Sequence, residues 1–131
     1  MNKPELLRLA REARERAYCP YSGVSVGAAL LGASGKIYLG ANIENAAHSP
    51  GLCAERVAFA KAVSEGEREF SAIAVSGGRR GDVSRDVFPP CGVCRQVLAE
   101  FCKEDFDIIL GDEENPTVKT LGELLPLAFT L

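Results

Sequence analysis

Five cysteines occupy positions 19, 53, 91, 94 and 102, and three of them stand where chemistry could use them. Cys91-Gly92-Val93-Cys94 follows Pro90 at an expected helix start. That spacing puts two sulfurs on one face about one turn apart, and a helix N-terminus lowers thiol pKa through its dipole. Thiolates are what zinc binds, although a C-x-x-C pair also fits a redox couple or half of a structural zinc site. Cys53-Ala54-Glu55 marks a second helix start and offers a third thiolate with a carboxylate beside it. Three protein ligands leave a tetrahedral zinc one open position for water, which is the catalytic arrangement. Residues i and i+2 do not share a helix face. Cys53 and Glu55 therefore converge only on a metal that sits off the end of the helix.

The same residues admit plainer readings. A structural zinc site would need a fourth ligand, for which His48 and Cys102 are the candidates; His48 also reads as an ordinary loop residue. Glu55 could be a first-turn acid favoured by the helix dipole. An odd set of cysteines in a reducing compartment favours metal or catalysis over disulfides. Cys19 and Cys102 read as small buried or half-buried side chains, and Tyr21 as core.

The elements that must position these groups follow from periodicity and turn chemistry. Residues 4–17 read as a helix with Leu6, Leu9, Ala10, Ala13 and Ala17 on one stripe. Residues 24–31 and 37–39 read as a hairpin joined at Ala33-Ser34-Gly35-Lys36. A loop over 42–52 leads to a helix over 53–64, whose middle, Val57 to Val63, is apolar on nearly every face except Lys61. That pattern suggests a subunit interface beside the core. A strand at 72–76, a polar loop over 77–90, a helix over 91–101, strands at 106–110 and 117–119 and a helix over 121–125 complete the chain. The short turn at 111–116 can join only antiparallel neighbours. The order αββαβαββα requires helices on both faces, so the expected fold is α/β: a three-layer α/β/α sandwich around a five-stranded mixed sheet.

Length and charge narrow the classes of function. With 131 residues the chain reads as one domain, 1–131. Fifteen basic against 18 acidic residues give a net charge of −3, which argues against a general nucleic-acid binder. Arg79, Arg80 and Arg85 could form a phosphate patch, but Asp82 and Asp86 interleave with them and the loop reads as solvated. No apolar run approaches a membrane span of about 18–20 residues. Residues 1–17 lack the apolar stretch of a signal peptide, and Glu5, Glu12 and Glu15 spoil a transit-peptide reading. The expected location is cytoplasmic.

C-A-E followed by P-C-G-V-C matches the zinc-deaminase signature, in which Cys is allowed at the His position. The likeness extends through Tyr18-Cys19-Pro20-Tyr21-Ser22, Val26-Gly27-Ala28-Ala29-Leu30-Leu31, Asn42-Ile43-Glu44-Asn45-Ala46-Ala47, Cys53-Ala54-Glu55-Arg56, Lys61-Ala62-Val63-Ser64-Glu65-Gly66, Pro90-Cys91-Gly92-Val93-Cys94-Arg95-Gln96-Val97 and Glu123-Leu124-Leu125-Pro126. In register over nearly the whole chain, the sequence resembles the small homotetrameric cytidine deaminases.

The resemblance implies hydrolysis of cytidine and 2′-deoxycytidine to uridine and 2′-deoxyuridine by a zinc-bound hydroxide. One zinc per chain would sit on Cys53, Cys91 and Cys94, with Glu55 as the proton shuttle. It implies that Asn42 and Glu44 bind the ribose and that backbone near Ala54 and Pro90–Cys91 holds the pyrimidine edge. It implies that Arg56 withdraws charge from a ligand sulfur, and that Phe129 reaches a neighbouring subunit's site in a homotetramer with shared active sites. Asn42 and Glu44 could instead order their loop, and Phe129 could be plain interface packing. Val24 stands where the family usually has an aromatic near the pyrimidine. It keeps an apolar wall but no ring, which bears on substrate range, including modified cytosine nucleosides.

Overall fold

The computed structural model describes residues 2–83 and 85–131; Met1, the first residue of the expected domain, and Ser84, in the expected 77–90 loop, lie outside the described residues. Asn2 opens helix α1 (Lys3–Ala13) by accepting the Glu5 N–H on its side chain at 2.8 Å, with Pro4 in the first turn. A 3₁₀ turn, Arg14–Arg16, follows. Then come β1 (Val24–Gly32), β2 (Ile37–Ala41), α2 (Ala54–Ser64), β3 (Phe70–Arg79), α3 (Gly92–Phe101), β4 (Asp107–Asp112), β5 (Asn115–Thr120) and the single turn α4 (Leu121–Leu124).

The sheet order is β2-β1-β3-β4-β5. Within the sheet β3 and β4 form the parallel pair, and the helix α3 lies in the crossover that such a pair requires. On one face α1 packs Leu6, Leu7 and Ala10 against Ala29, Ala74 and Ile109. On the other, Ala58, Phe59, Leu98 and Leu121 pack against Leu30, Ile73, Val75 and Ile108. The three-layer sandwich is therefore as the sequence predicts.

Two glycines set how closely the layers approach. A Cβ at Gly27 would fall 1.9 Å from the Ala10 carbonyl oxygen of α1. A Cβ at Gly40 would fall 2.3 Å from the Ala54 oxygen and 2.7 Å from the Ala58 nitrogen of α2. The sheet thus touches helix backbone on both sides, and the start of α2 rests directly on β2.

The structure differs from the expected elements at several places, and the strands β2, β3, β4 and β5 each run beyond the expected bounds. The α-helix ends at Ala13, where Arg14 turns inward; its Nε donates to the Ser25 carbonyl and hydroxyl (3.1 Å each) and its Nη2 to the Arg79 carbonyl (3.0 Å). The third strand reaches Arg79, because β1 continues to pair through Val24↔Arg79 and the glycines at 77 and 78 hide that from an apolar count. Tyr21 is 65% exposed and belongs to the rim of a cleft, not the core. In α2 the core-facing residues are Ala54, Glu55, Ala58, Phe59 and Ala62, whereas Val57 and Val63 are half-buried and Ala60 and Lys61 exposed. Among the described residues, no helix is long and apolar enough to cross a membrane.

Candidate active site

Cys53 and Cys91 are the N-cap residues of α2 and α3, positions where serine or aspartate usually caps the helix with a side-chain oxygen. Neither cysteine makes a capping bond. Their sulfurs face each other at 3.9 Å instead, and with Cys94, one turn into α3, the three Sγ atoms lie within 4.8 Å of one another. Zinc–thiolate bonds of about 2.3 Å set a tetrahedral edge of about 3.8 Å. The Cys53–Cys91 pair already matches that edge.

The electrostatics of the cluster also fit a cation. The Cys53 thiol is pulled down to about 5, chiefly by its hydrogen bond with Cys94, with Arg56 and Cys91 assisting. Cys94 is pushed up by the same bond and by burial, with Glu55 and the other sulfurs adding repulsion. One thiolate therefore opposes the next, and a divalent cation is what allows all three to ionise together. Arg56 stands over the cluster, its Nη2 3.5 Å from Cys53 Sγ and 3.3 Å from the Gly51 carbonyl. Its buried Nε has no partner among the described residues. Arg95, the other basic neighbour, turns away from the sulfurs. Its Nε donates to the Pro90 carbonyl (2.8 Å) and its Nη1 to Leu124 (2.7 Å), which fixes the approach to Cys91.

Glu55 is 4% exposed in the first turn of α2. Burial raises its pKa above the ordinary carboxylate value, against the lowering effect of its own amide and the Cys94 thiol. A buried carboxyl of raised proton affinity thus stands beside three thiols.

A cleft of about 730 Å³ opens above these groups, within the range of small-molecule sites. Cys53, Ala54, Glu55, Arg56 and Cys91 line it, together with Asn42 and Glu44. Asn42 is clamped to β1: Oδ1 accepts the Val26 N–H (2.8 Å) and Nδ2 donates to the Val24 carbonyl (2.9 Å). Glu44 accepts the Tyr21 and Ser22 amides (2.9 and 3.1 Å) and the Ser22 hydroxyl. The Ser22 hydroxyl is the main cause holding Glu44 below its usual pKa. Both residues thus order their surroundings and face the cleft at once.

Two expected residues are not in this wall. Val24 shares the face of β1 with Val26, but Val26 lines the cleft and Val24 does not. Phe129 is 69% exposed near the C-terminal end, its carbonyl held by Gln96 Nε2 at 2.9 Å, and is outside its own chain's cleft. The cleft also uses Ser22, Val26, Phe88 and Pro89, to which the sequence reading assigned no role. His48 lines it from a left-handed backbone (φ 38°) but is not one of the clustered ligands.

A family profile described as the cytidine and deoxycytidylate deaminase zinc-binding region matches residues 1–109. A cytidine deaminase of Sporosarcina psychrophila is 50% identical over 134 residues, covering 99% of this chain and 93% of that protein. One of Halalkalibacterium halodurans is 50% identical over 131 residues, covering 99% and 96%. The crystal structure of cytidine deaminase from Burkholderia pseudomallei superposes with a TM-score of 0.88 at 42% identity, covering 98% of this chain and 100% of that one. A cysteine triad spaced for zinc, a buried glutamate beside it and this extent of likeness lead to one assignment: the chain belongs to the cytidine and deoxycytidylate deaminase family of zinc enzymes.

Proposed function

We propose that the chain hydrolyses cytidine and 2′-deoxycytidine to uridine and 2′-deoxyuridine with release of ammonia, a reaction of pyrimidine salvage in the cytoplasm. The observation that carries this reading is the buried Glu55 beside the Cys53–Cys91–Cys94 cluster at a nucleoside-sized cleft. Zinc on those three sulfurs would supply a Lewis acid that brings the pKa of water toward neutrality. The protein's own part is proton handling and positioning. Glu55 takes the proton of the attacking water and delivers it to ring N3. It then takes the proton of the hydroxyl added at C4 and passes it to the amine, so that the C4–N bond breaks as the C4 carbonyl forms. One carboxyl thus serves both transfers, and its burial keeps its proton affinity high enough to do so.

Asn42 and Glu44 hold the ribose, and backbone at Ala54 and Pro90–Cys91 holds the pyrimidine edge. Arg56 offsets the surplus thiolate charge, in keeping with its contact to Cys53 Sγ. The assembly is a homotetramer with shared sites, in which Phe129 serves a neighbour. Exposed apolar side chains support this: Tyr18, Ile43 and Leu52, joined by successive bridges, and Phe129 itself.

The test is loss of cytidine absorbance on incubation, with ammonia and zinc measured on the same sample. One zinc per chain and one ammonia per cytidine are expected. A zinc-loaded protein that leaves cytidine and 2′-deoxycytidine unchanged would overturn the reading, and turnover of modified cytosine nucleosides alone would redirect it.

A further inference from the structure

A phenyl ring lies flat on the sheet inside the cleft. Phe88 stands three residues before Cys91, and its ring covers Gly77 of β3. A Cβ at Gly77 would be 2.6 Å from Cγ and Cδ1 of the ring and 2.9 Å from Cδ2. Near-equal distances to those three atoms put the point close to the ring normal, not at the ring edge. One face of the ring therefore rests on the strand, where only glycine leaves room for it.

Gly77 pairs with Val26, and Val26 and Phe88 both line the cleft. The other face of the half-buried ring accordingly looks away from the sheet, toward whatever occupies the cleft. Its position is preset. A residue before proline is confined to extended backbone, and Phe88 is followed by Pro89 and the buried Pro90. The Pro90 carbonyl is held by Arg95 at 2.8 Å. Ring and Cys91 thus share one stiff segment, so the aromatic face has a fixed relation to the sulfur cluster.

We propose that Phe88 is the platform on which the pyrimidine stacks, with Gly77 as its seat. This makes Phe88 a specificity-determining residue for planar bases, and the inference rests on the cytidine reading above. An aromatic face recognises a flat π-system by offset stacking and excludes water from it. In the deamination C4 becomes tetrahedral and the base loses planarity. Stacking therefore favours substrate and product at least as much as the transition state, and its loss raises KM with little change in kcat.

The experiment compares Phe88→Leu, Phe88→Ala, Phe88→Tyr and Gly77→Ala in the zinc-loaded protein. It measures kcat and KM for cytidine, the calorimetric Kd of uridine, zinc content and Tm. Removing a base–aromatic stack weakens binding by about 5–150-fold. The expected result is a KM rise of about fivefold for Phe88→Leu and about tenfold for Phe88→Ala, near the low end of that range because Val26 still walls the cleft. Uridine Kd should move in parallel, kcat should stay within about twofold, and Phe88→Tyr should resemble wild type. Gly77→Ala, which lifts the ring off the strand, should raise KM as well. KM and uridine Kd within twofold of wild type in Phe88→Leu would overturn the proposal, as would loss of zinc with KM unchanged, which would make the ring a structural prop. Where Phe88→Ala fails to fold, the Leu and Tyr variants decide. A wild-type protein that neither turns over cytidine nor binds uridine would overturn the functional reading and the platform together, whereas normal turnover with insensitive variants removes the platform alone.

Discussion

Gly40→Ala should cripple catalysis although Gly40 belongs to none of the metal or proton-transfer groups. The Cβ it adds would lie 2.3 Å from the Ala54 oxygen. An ordinary carbon–oxygen contact is about 3.3 Å, so α2 and β2 must separate by roughly 1 Å. Ala54 opens α2 between Cys53 and Glu55, and these residues move with that turn. Overpacking of this kind costs about 1–3 kcal/mol of stability, and a 1 Å misplacement of reacting groups costs about 100-fold in rate. The matching control is Gly92→Ala. Gly92 sits between two sulfur ligands, yet its Cβ would meet nothing within 4 Å and its φ is not in the left-handed region. Alanine at this first helical position meets no neighbour and should leave kcat within about twofold. Steady-state kinetics, zinc content and melting temperature on both variants form the assay. Gly40→Ala retaining more than a third of wild-type kcat, or Gly92→Ala proving the more damaging, would refute the close-contact argument.

Glu55→Gln should keep zinc and lose at least about 10⁴-fold in kcat, the top of the range for one general acid–base group; a tenth of wild-type activity would contradict the shuttle. In chelator-treated protein at pH 6, Cys53, with its pKa pulled down to about 5, is largely thiolate and should alkylate first. Cys102, pushed up to about 12 by burial, should stay silent until unfolding, and peptide mapping that reverses this order would refute the assignment. Arg56→Gln removes a hydrogen bond to charged sulfur, a contribution of about 1.5–3 kcal/mol; activity should fall about 10–150-fold with the acid limb of the pH–rate profile moved upward, and an unchanged profile would make Arg56 incidental. Phe129→Ala should raise KM without changing zinc content, while light scattering reports a species near four chains; a fully active single chain on dilution would remove the shared site.

The candidate metal ligands are legible where their evidence is local, and their convergence on one site comes from the likeness to the zinc-deaminase signature. Cys53 and Cys91 each precede an apolar helical stretch, so the chain itself marks them as helix starts, and the glutamate follows within two residues. The layer order was legible for a similar reason, since each strand and helix carries its own period. What stayed hidden depends on contacts across the fold. Arg14 looks like one more charge on α1 until the Ser25 and Arg79 carbonyls, 11 and 65 residues away, draw it inward. Tyr21 reads as core by type, but Glu44 pins the amides at 21 and 22 and turns the ring outward to the rim. Phe88 is unremarkable in a polar loop until Gly77 is seen beneath it. Val24 has the right strand and the right face for the site, but Val26 is the position that reaches the cleft.

Asn42 illustrates how a neutral side chain acquires a direction. Its amide occupies the place of a peptide unit along β1, oxygen toward the Val26 N–H and nitrogen toward the Val24 carbonyl. A flipped amide would set donor against donor and acceptor against acceptor, so only one orientation is compatible with the strand. Together the two bonds use half of what the amide offers, leaving one lone pair and one N–H with no partner among the described residues and of fixed identity. A hydroxyl is the complementary group, able to give a hydrogen to the first and take one from the second. Aspartate at this position would present only acceptors and would oppose the Val24 carbonyl, so the backbone of β1, more than any neighbouring side chain, dictates that residue 42 be an amide.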